Sequence, residues 1–175
     1  LPGVLPLMLF IAGMQAVVSA CADYWQLFGR DVGLSKPGIA LFLAALAGVG
    51  AAASAVAHRL HGLSHRALCL MLTAAGGCVV AAAATYQAWS VVLLMTYVAL
   101  YWMVDVNADA RFQHAIRPET RATLGSVKGF TMQCGTSVLM LGFGLVAGAA
   151  SYRVAFLSAG VLAMLIGGGY ALASL

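Results

Sequence analysis

Polar side chains recur at helical spacing on two otherwise apolar stretches of the sequence. On the first stretch they share one helix face, at Gln15, Ser19, Asp23 and Gln26. On the second they follow one another at i+4 steps, at Tyr97, Tyr101, Asp105 and Asp109. Amides and hydroxyls can hydrogen-bond a solute and carboxylates can carry protons, so both faces are candidate cavity linings, with Asp23 and Asp105 as candidate coupling acids. Since both acids lie near the ends of their stretches, a simple interfacial position is the alternative.

A third stretch combines a polar side with a single lysine. The polar side carries Ser126, Gly129, Gln133, Thr136 and Ser137. Lys128, near the start of the stretch, can extend its amine to the membrane surface or pair with Asp105 or Asp109. Gln15 and Gln133 lie near the middle of their stretches, where an amide can either bond between helices or line a cavity.

The composition identifies the solvent around these stretches. Hydrophobic residues make up 63% of the 175 residues and charged residues 8%, and the mean hydropathy is +0.97. A soluble domain carries roughly 25% charged residues, so the sequence indicates an integral membrane protein in contact with the lipid bilayer. The net charge of +4 then reflects loop topology and not nucleic-acid binding. The four cysteines stand apart from one another and from any His at ligand spacing, so no metal site, cofactor or catalytic centre is expected.

Six runs are long enough to cross a bilayer, since a helical span needs about 20 mostly apolar residues. They are Val4 to Leu27, Pro37 to Ala57, Ala67 to Ala84, Trp89 to Val106, Ala122 to Ala147 and Val154 to Leu175. The runs do not alternate at period two, which favours helices over barrel strands. Ser35 and Ser64 are expected as N-caps of the second and third spans. Residues 1–175 are thus predicted to form a single all-α bundle of six transmembrane helices.

Small residues four positions apart predict where these helices pack closely. The second span has this spacing at Ala44, Gly48 and Ala52, and the fifth has it at Gly125 and Gly129; Gly144 and Gly148 form a GxxxG motif. Without bulky side chains, two helix backbones can approach one another in a membrane. The pattern indicates a packed bundle and no particular chemistry.

Basic residues are distributed unevenly between the two ends of this bundle. One end holds Arg59, Arg66, Arg111, Arg117 and Arg121, and the other holds Arg30, Lys36 and Arg153. Cytoplasmic loops carry an excess of Lys and Arg, so the richer end is expected in the cytoplasm of a cell membrane. With an even number of spans, both ends of the segment would be cytoplasmic. We expect the fourth span to end with Asp105, Asp109 and Arg111 before a basic loop, and the fifth span to start with Arg121.

This pattern resembles the C-terminal half of a major facilitator superfamily transporter. In that family the first and fourth helices of each half line the central cavity, and each half is a pair of inverted three-helix repeats. The segments "ADYWQLFGRDVGLSKPGIALFL", "AHRLHGLSHR" and "IRPETRATLGSVKGF" are similar to connecting segments of that half. Arg59 and Arg66 match basic positions of the second segment, whose usual acid is missing. In the third, a Pro, an acid and Arg121 precede a helix start rich in small residues.

The resemblance implies secondary active transport of a small molecule by alternating access, with an N-terminal six-helix half as the partner that completes the cavity. It implies coupling or gating roles at the arginine-rich end and on the polar faces, for Asp23, Asp105, Asp109, Lys128, Arg59, Arg66 and Arg121. Mixed aromatic and Met residues, such as Met14, Trp102 and Met132, suit a moderately apolar substrate, as in drug efflux, and the same residues also pack any helix bundle. Proton coupling of such efflux is the expected mode of transport.

Two other functions are compatible with the sequence. A non-transporting membrane scaffold or receptor of the same fold would have no need of polar helix faces. A membrane phosphotransferase is suggested by "DVNADARF", Asp105 to Phe112, which resembles the Asp and Ala-Arg motif of CDP-alcohol phosphotransferases. That chemistry needs several acids to hold divalent metals, and only Glu119 follows Asp109. The sequence therefore favours a transporter over an enzyme.

Overall fold

The computed structural model describes residues 3–60 and 62–173, and this part of the chain is helical throughout apart from short connections. The helices are α1 (Val4–Ala22), α2 (Trp25–Asp31), α3 (Lys36–Val56), α4 (His65–Thr85), α5 (Val91–Ala115), α6 (Arg121–Ala149) and α7 (Tyr152–Ala173). Short 3₁₀ turns at Ala57–Leu60, Ala88–Ser90 and Pro118–Thr120 link some of them. All but α2 lie in segments that are long and apolar enough to cross a membrane. The number of spans, six, is therefore confirmed, consistent with an integral membrane protein, and the predicted end of the sixth at Leu175 lies outside the described residues.

Two serine N-caps start spans where the sequence predicts them. The Ser35 hydroxyl accepts a hydrogen bond from the amide of Gly38 at 3.3 Å, at the start of α3. At the start of α4, the Ser64 hydroxyl accepts one from the amide of Ala67 at 3.2 Å. Each bond satisfies a backbone donor that the first helical turn leaves without a partner. Both N-cap predictions are thus confirmed.

The first predicted span is wrong in its last five residues, because the chain bends at Asp23 and Tyr24. Where the sequence predicted one helix as far as Leu27, the structure has α1 and then α2. The amide of Tyr24 donates to the carbonyl three residues back, at 2.9 Å, in place of the α-helical partner four residues back. The bend turns Trp25 and Phe28 into the core, where they are 5% and 0% exposed. Burial of these two large rings stabilises a break that an apolar run does not reveal.

The fourth predicted span is too short. Its helix, α5, continues past the predicted end at Val106 to Ala115. The added turns bury Asn107, Ala108 and Phe112, each no more than 1% exposed, against neighbouring elements. Tertiary packing therefore maintains the helix beyond the end of the apolar signal. Most of the basic loop expected here is helical, and the connection to α6 is reduced to residues 116–120.

A basic and aromatic cluster closes the end of the bundle opposite the five arginines. Tyr86 ends α4 with a left-handed φ of 49°, and its hydroxyl donates to the Asp31 carboxylate at 3.3 Å. Arg153 donates to the carbonyl of Ala83 at 2.9 Å, and its guanidinium lies 6.0 Å from the Tyr86 ring centroid. Burial, together with the Asp31 carboxylate, raises the pKa of Tyr86 to about 12. At neutral pH the phenol therefore stays protonated and remains a donor.

The six spans pack in pairs that relate the first three to the last three. α1 packs on α6 and α7, α5 packs on α3 and α4, α1 touches α5, and α4 packs along α7. Suppose that α1 is exchanged with α5, α3 with α6 and α4 with α7. The α1–α6 contact then corresponds to α5–α3 and the α1–α7 contact to α5–α4, and the α4–α7 contact corresponds to itself. One pair departs from this symmetry, because α6 also packs on α7 whereas α3 and α4 stay largely apart. Since each unit has three spans, the second unit runs through the bundle in the inverted direction.

The closest helix contact joins α4 and α7 through glycines. A Cβ added to Gly76 would lie 2.7 Å from the carbonyl oxygen of Gly160, and one added to Gly160 would lie 2.9 Å from the amide nitrogen of Val80. One added to Gly167 would lie 2.9 Å from the carbonyl oxygen of Cys69. The two helices thus meet backbone to backbone, as small residues allow in membranes.

The small residues highlighted by sequence spacing do not make this contact. A Cβ added at Gly48, Gly125, Gly129 or Gly148 would meet no atom within 4 Å, so these glycines face away from the rest of the described chain. The prediction that they join helices of this bundle is therefore wrong for those four positions. Spacing shows that a helix has a small-residue face, but not which neighbour that face meets.

Candidate functional site

The two polar faces meet where α1 crosses α5. The hydroxyl of Tyr101 donates a hydrogen bond to the side-chain oxygen of Gln15. Tyr101 is fully buried and Gln15 is half-buried. This bond joins the first and fourth spans through polar groups deep in an apolar bundle, where each group needs its partner because water is scarce.

Asp105 continues the polar contacts one helical turn along α5. Its half-buried carboxyl lies one helical turn from Tyr101 and one from Asp109, within electrostatic range of the Asp109 carboxylate and the Lys128 ammonium. The charge of this carboxyl therefore affects the electrostatic energy of the neighbouring phenol, carboxylate and ammonium groups. An ionisable residue inside a membrane span is expensive to keep, and such residues commonly mark solute or proton pathways.

Lys128 of α6 closes the chain of contacts. Its ammonium pairs with the Asp109 carboxylate and lies 5.1 Å from the centroid of the Phe112 ring. The lysine side chain is 16% exposed and the aspartate side chain 41%. Of the two alternatives for Lys128, pairing with an acid of α5 is confirmed, and the acid is Asp109. We refer to Gln15, Tyr101, Asp105, Asp109 and Lys128 together as the polar path.

The polar path contains two acids and one ammonium. When both acids are ionised, Lys128 balances the charge of one of them and leaves one negative charge over. When one acid holds a proton, the path is neutral. Burial of charge is costly, so uptake or release of one proton would change the electrostatic energy of this region. The path connects three spans, α1, α5 and α6, so that energy change can act on their packing.

Of the other candidates on α1 and α5, Tyr97 lies beside the path, with its ring centroid 6.3 Å from that of Tyr101, and the remaining three lie apart from it. Tyr97 is buried and packs edge-on against Trp25, with ring centroids 6.0 Å apart. Ser19 is half-buried, and Asp23 and Gln26 are exposed at the bend and in α2. None of these three polar side chains bonds to another residue that the structure describes. The bend places Gln26 on a different helix from Ser19, so the continuous four-residue face predicted from spacing does not extend past Asp23.

Gln133 marks an uncovered face of α6. The neighbouring hydroxyls of Ser126 and Ser137 donate to carbonyls of their own helix, each at 3.0 Å. Gln133 is exposed, and its amide has no hydrogen-bond partner within residues 3–60 and 62–173. It lies twelve residues into α6, about 18 Å from the start of the helix. An unpartnered amide at that depth is unfavourable against lipid, so this face requires protein or water.

Comparison of the chain with protein-family models, curated proteins and solved structures gives no match. Within the part of the chain that the structure describes, no three His, Cys, Asp or Glu side chains are grouped so that they could hold a metal ion.

The three candidate gating arginines occupy exposed positions at the end of the bundle shared by Arg59, Arg66, Arg111, Arg117 and Arg121, here called the arginine end. Arg121 donates to the carbonyl of Gln113 at 3.4 Å, which links the start of α6 to the end of α5. Arg59 and Arg66 form no hydrogen bond or ion pair with any described residue. The structure therefore gives Arg121 a contact between spans, and leaves Arg59 and Arg66 open to other partners.

Two residues of α5 that were not predicted as site residues hold the α3–α4 connection instead. The side-chain amide of Asn107, 1% exposed, donates to the carbonyl of Ala57 at 2.9 Å. One turn further, Arg111 donates to Nδ1 of His65 at 3.1 Å and to the carbonyl of Leu63. The i, i+4 spacing of Asn107 and Arg111, on the side of α5 away from Asp105 and Asp109, was the available signal. Charge counting alone treated Arg111 as a topology marker.

A double-mutant cycle measures the bond that joins the two polar faces. We expect Gln15→Leu and Tyr101→Phe each to lower stability, because each leaves a polar group in an apolar interior without its partner. The interaction energy of the pair should be about 0.6–1.7 kcal/mol, as for hydrogen bonds between membrane helices. Reversible unfolding in mixed micelles gives the four free energies of the cycle. Additive losses in the double variant would show that the two groups do not interact.

Proposed function

We propose that the chain forms one half of a secondary active transporter of the major facilitator type, which moves a small molecule by alternating access. The observation that carries the proposal is the packing pattern, in which exchange of the two three-span units maps α1–α6 onto α5–α3 and α1–α7 onto α5–α4. Inverted repeats of transporters are related in this way, and their solute and ion sites lie at the junction of the repeats. The Gln15–Tyr101 contact lies at that junction, between the first span of each unit.

The uncovered faces of α3 and α6 support a second half as the partner. Gly48 on α3, and Gly125 and Gly129 on α6, present small surfaces with no neighbour in the described chain. Gln133 adds an unpartnered amide to the face of α6. A further six-helix half would cover these surfaces, and a water-filled cavity between the halves would solvate Gln133. In this arrangement the arginine end faces the cytoplasm, in line with the positive-inside rule.

Thiol accessibility tests alternating access without knowledge of the substrate. In the full-length protein with its native cysteines replaced, Gln133→Cys should react with a membrane-impermeant thiol reagent added to either side of the membrane. The matched control is Val161→Cys on α7, which is 46% exposed on the outside of the bundle. The thiol at position 161 should react with a membrane-permeant maleimide but not with the impermeant reagent. Absence of impermeant labelling at position 133 from both sides would contradict the proposal.

Neutralising the acids tests proton coupling. We expect Asp105→Asn to abolish proton-driven efflux of ethidium, a moderately apolar cation, from energised vesicles, because the polar path would lose the acid without an ammonium partner. Asp23→Asn should impair efflux less, since Asp23 is exposed at the bend and outside the path. The control is Glu119→Gln, in the exposed connection before α6. Full efflux by both aspartate variants at normal protein level would exclude these acids from coupling.

A further inference from the structure

A groove with one charged residue runs between the start of α4 and the end of α7. Its volume is about 780 Å³. The residues that shape it are Arg66 and Leu70 of α4 with Leu165, Gly168, Gly169 and Leu172 of α7. It lies on the outside of the bundle at the arginine end, away from the polar path.

Glycines create the groove. A Cβ added at Gly168 or Gly169 would meet no atom within 4 Å, whereas one at the preceding Gly167 would lie 2.9 Å from the carbonyl oxygen of Cys69. The side of α7 at Gly167 therefore packs against α4, whereas the side at Gly168 and Gly169 is bordered by open space. Leu70 and Leu172, which are 67% and 72% exposed, form apolar walls above this open floor. In a bilayer such walls contact hydrocarbon chains.

Arg66 places an unpaired positive charge at the end of the groove nearest the membrane surface. It lies in the first turn of α4 and is exposed. Other arginines of the bundle, such as Arg111 and Arg153, donate to backbone carbonyls. Arg66 has no hydrogen bond or ion pair with any residue in the described ranges. The groove thus combines an unneutralised guanidinium at the membrane surface with an apolar trough that extends into the membrane.

We propose that this groove binds an anionic phospholipid, with the phosphate on Arg66 and one acyl chain along the trough. The trough follows α7 over the nine residues from Met164 to Leu172, or about 12 Å. One leaflet of the hydrocarbon core is about 15 Å thick, so the trough matches most of one chain. Basic pockets between helices at the cytoplasmic surface recognise anionic headgroups, and those lipids are concentrated in that leaflet. This binding requires a membrane protein whose arginine end faces the cytoplasm, as proposed above, and is independent of transport.

The test compares lipid binding to the purified full-length protein by native mass spectrometry, with phosphatidylglycerol and phosphatidylcholine of identical acyl chains. The wild type should prefer phosphatidylglycerol about fivefold, the contribution of one arginine at a membrane surface. Arg66→Gln should remove the preference and retain binding of both lipids, and Arg66→Lys should keep the preference. Gly169→Leu should weaken both lipids, because it fills the trough without a clash in the fold.

Two controls isolate the groove from other lipid contacts. Gly77→Leu introduces the same side chain at another open glycine of the α4–α7 pair, and Arg117→Gln removes an exposed arginine outside the groove. Both should bind lipid as the wild type does. An undiminished preference for phosphatidylglycerol in Arg66→Gln would overturn the proposal. So would a Gly169→Leu variant that changes oligomeric state but not lipid binding, since the groove would then hold a second protein surface.

Discussion

Gly76→Ala will disrupt the α4–α7 pair, while Gly77→Ala, one residue further along the same helix, will leave the fold intact. The added methyl at position 76 would lie 2.7 Å from the carbonyl oxygen of Gly160 and 2.8 Å from the amide nitrogen of Met164. Both are backbone atoms, which cannot rotate away as the end of a side chain can. The helices must separate, and we expect a loss of at least about 3 kcal/mol, the upper part of the range for overpacked interiors.

Gly77 is a close control because it lies next to Gly76 on the same helix, and the two differ in the direction in which an added Cβ would point. A Cβ at Gly77 meets no atom within 4 Å, and Ala favours helix over Gly by about 1 kcal/mol in water. Gly77→Ala should therefore unfold at or slightly above the wild-type temperature. The buried thiol of Cys69, which lies at the same helix contact, reports unfolding through a thiol-reactive fluorophore. Equal unfolding temperatures for the two variants would show that α4 and α7 do not meet backbone to backbone.

Lys128→Met will destabilise the protein because it leaves Asp109 without its ammonium partner and removes the one positive charge of the polar path. Removal of one partner from a buried ion pair typically costs 3–5 kcal/mol. The 41% exposure of the Asp109 side chain allows water to screen part of its charge, so we expect a smaller loss, about 2 kcal/mol. The yield of monodisperse protein after detergent extraction should fall accordingly. Wild-type yield would contradict a structural role for the pair.

The double variant Lys128→Met/Asp109→Leu separates the stability of the pair from its function. Replacing both members with apolar residues removes the unpaired charge, so much of the yield should return. Efflux should not return, because Asp105 would then be the sole charged member of the path. The control is the exposed pair Arg30–Asp31, 3.0 Å apart, whose removal by Arg30→Gln should have little effect on yield. Restored efflux in the double variant would assign Lys128 and Asp109 to structure alone.

The spans were predictable because the signal for a bilayer crossing is a length of apolar chain, and that length is written in the sequence. The bend at Asp23 and Tyr24 was not, because it is stabilised by burial of Trp25 and Phe28 against residues far away in the chain. The extension of α5 was missed for a similar reason. Asn107 and Arg111 look like the end of a span by hydropathy, yet their bonds to the α3–α4 connection keep them in a packed helix.

The candidate site was predictable as a set of residues but not as a set of contacts. Helical spacing placed Gln15 and Tyr101 on polar faces, and the structure then showed that these two faces meet. Helical spacing could not decide whether Lys128 pairs with Asp105 or Asp109, since both acids lie on the same face of α5 one turn apart. That choice depends on how α6 is rotated against α5, which no local pattern records.

The glycine contact between α4 and α7 also has a mechanical consequence. Packed side chains can shift between rotamers, so interfaces built from them have alternative arrangements. At Gly76 and Gly160 no side chains intervene, and the distance between the two axes is set by the backbones themselves. α4 and α7 therefore form a stiff unit with one spacing. Any change in shape of this bundle is concentrated elsewhere, where α1, α3, α5 and α6 meet through movable side chains.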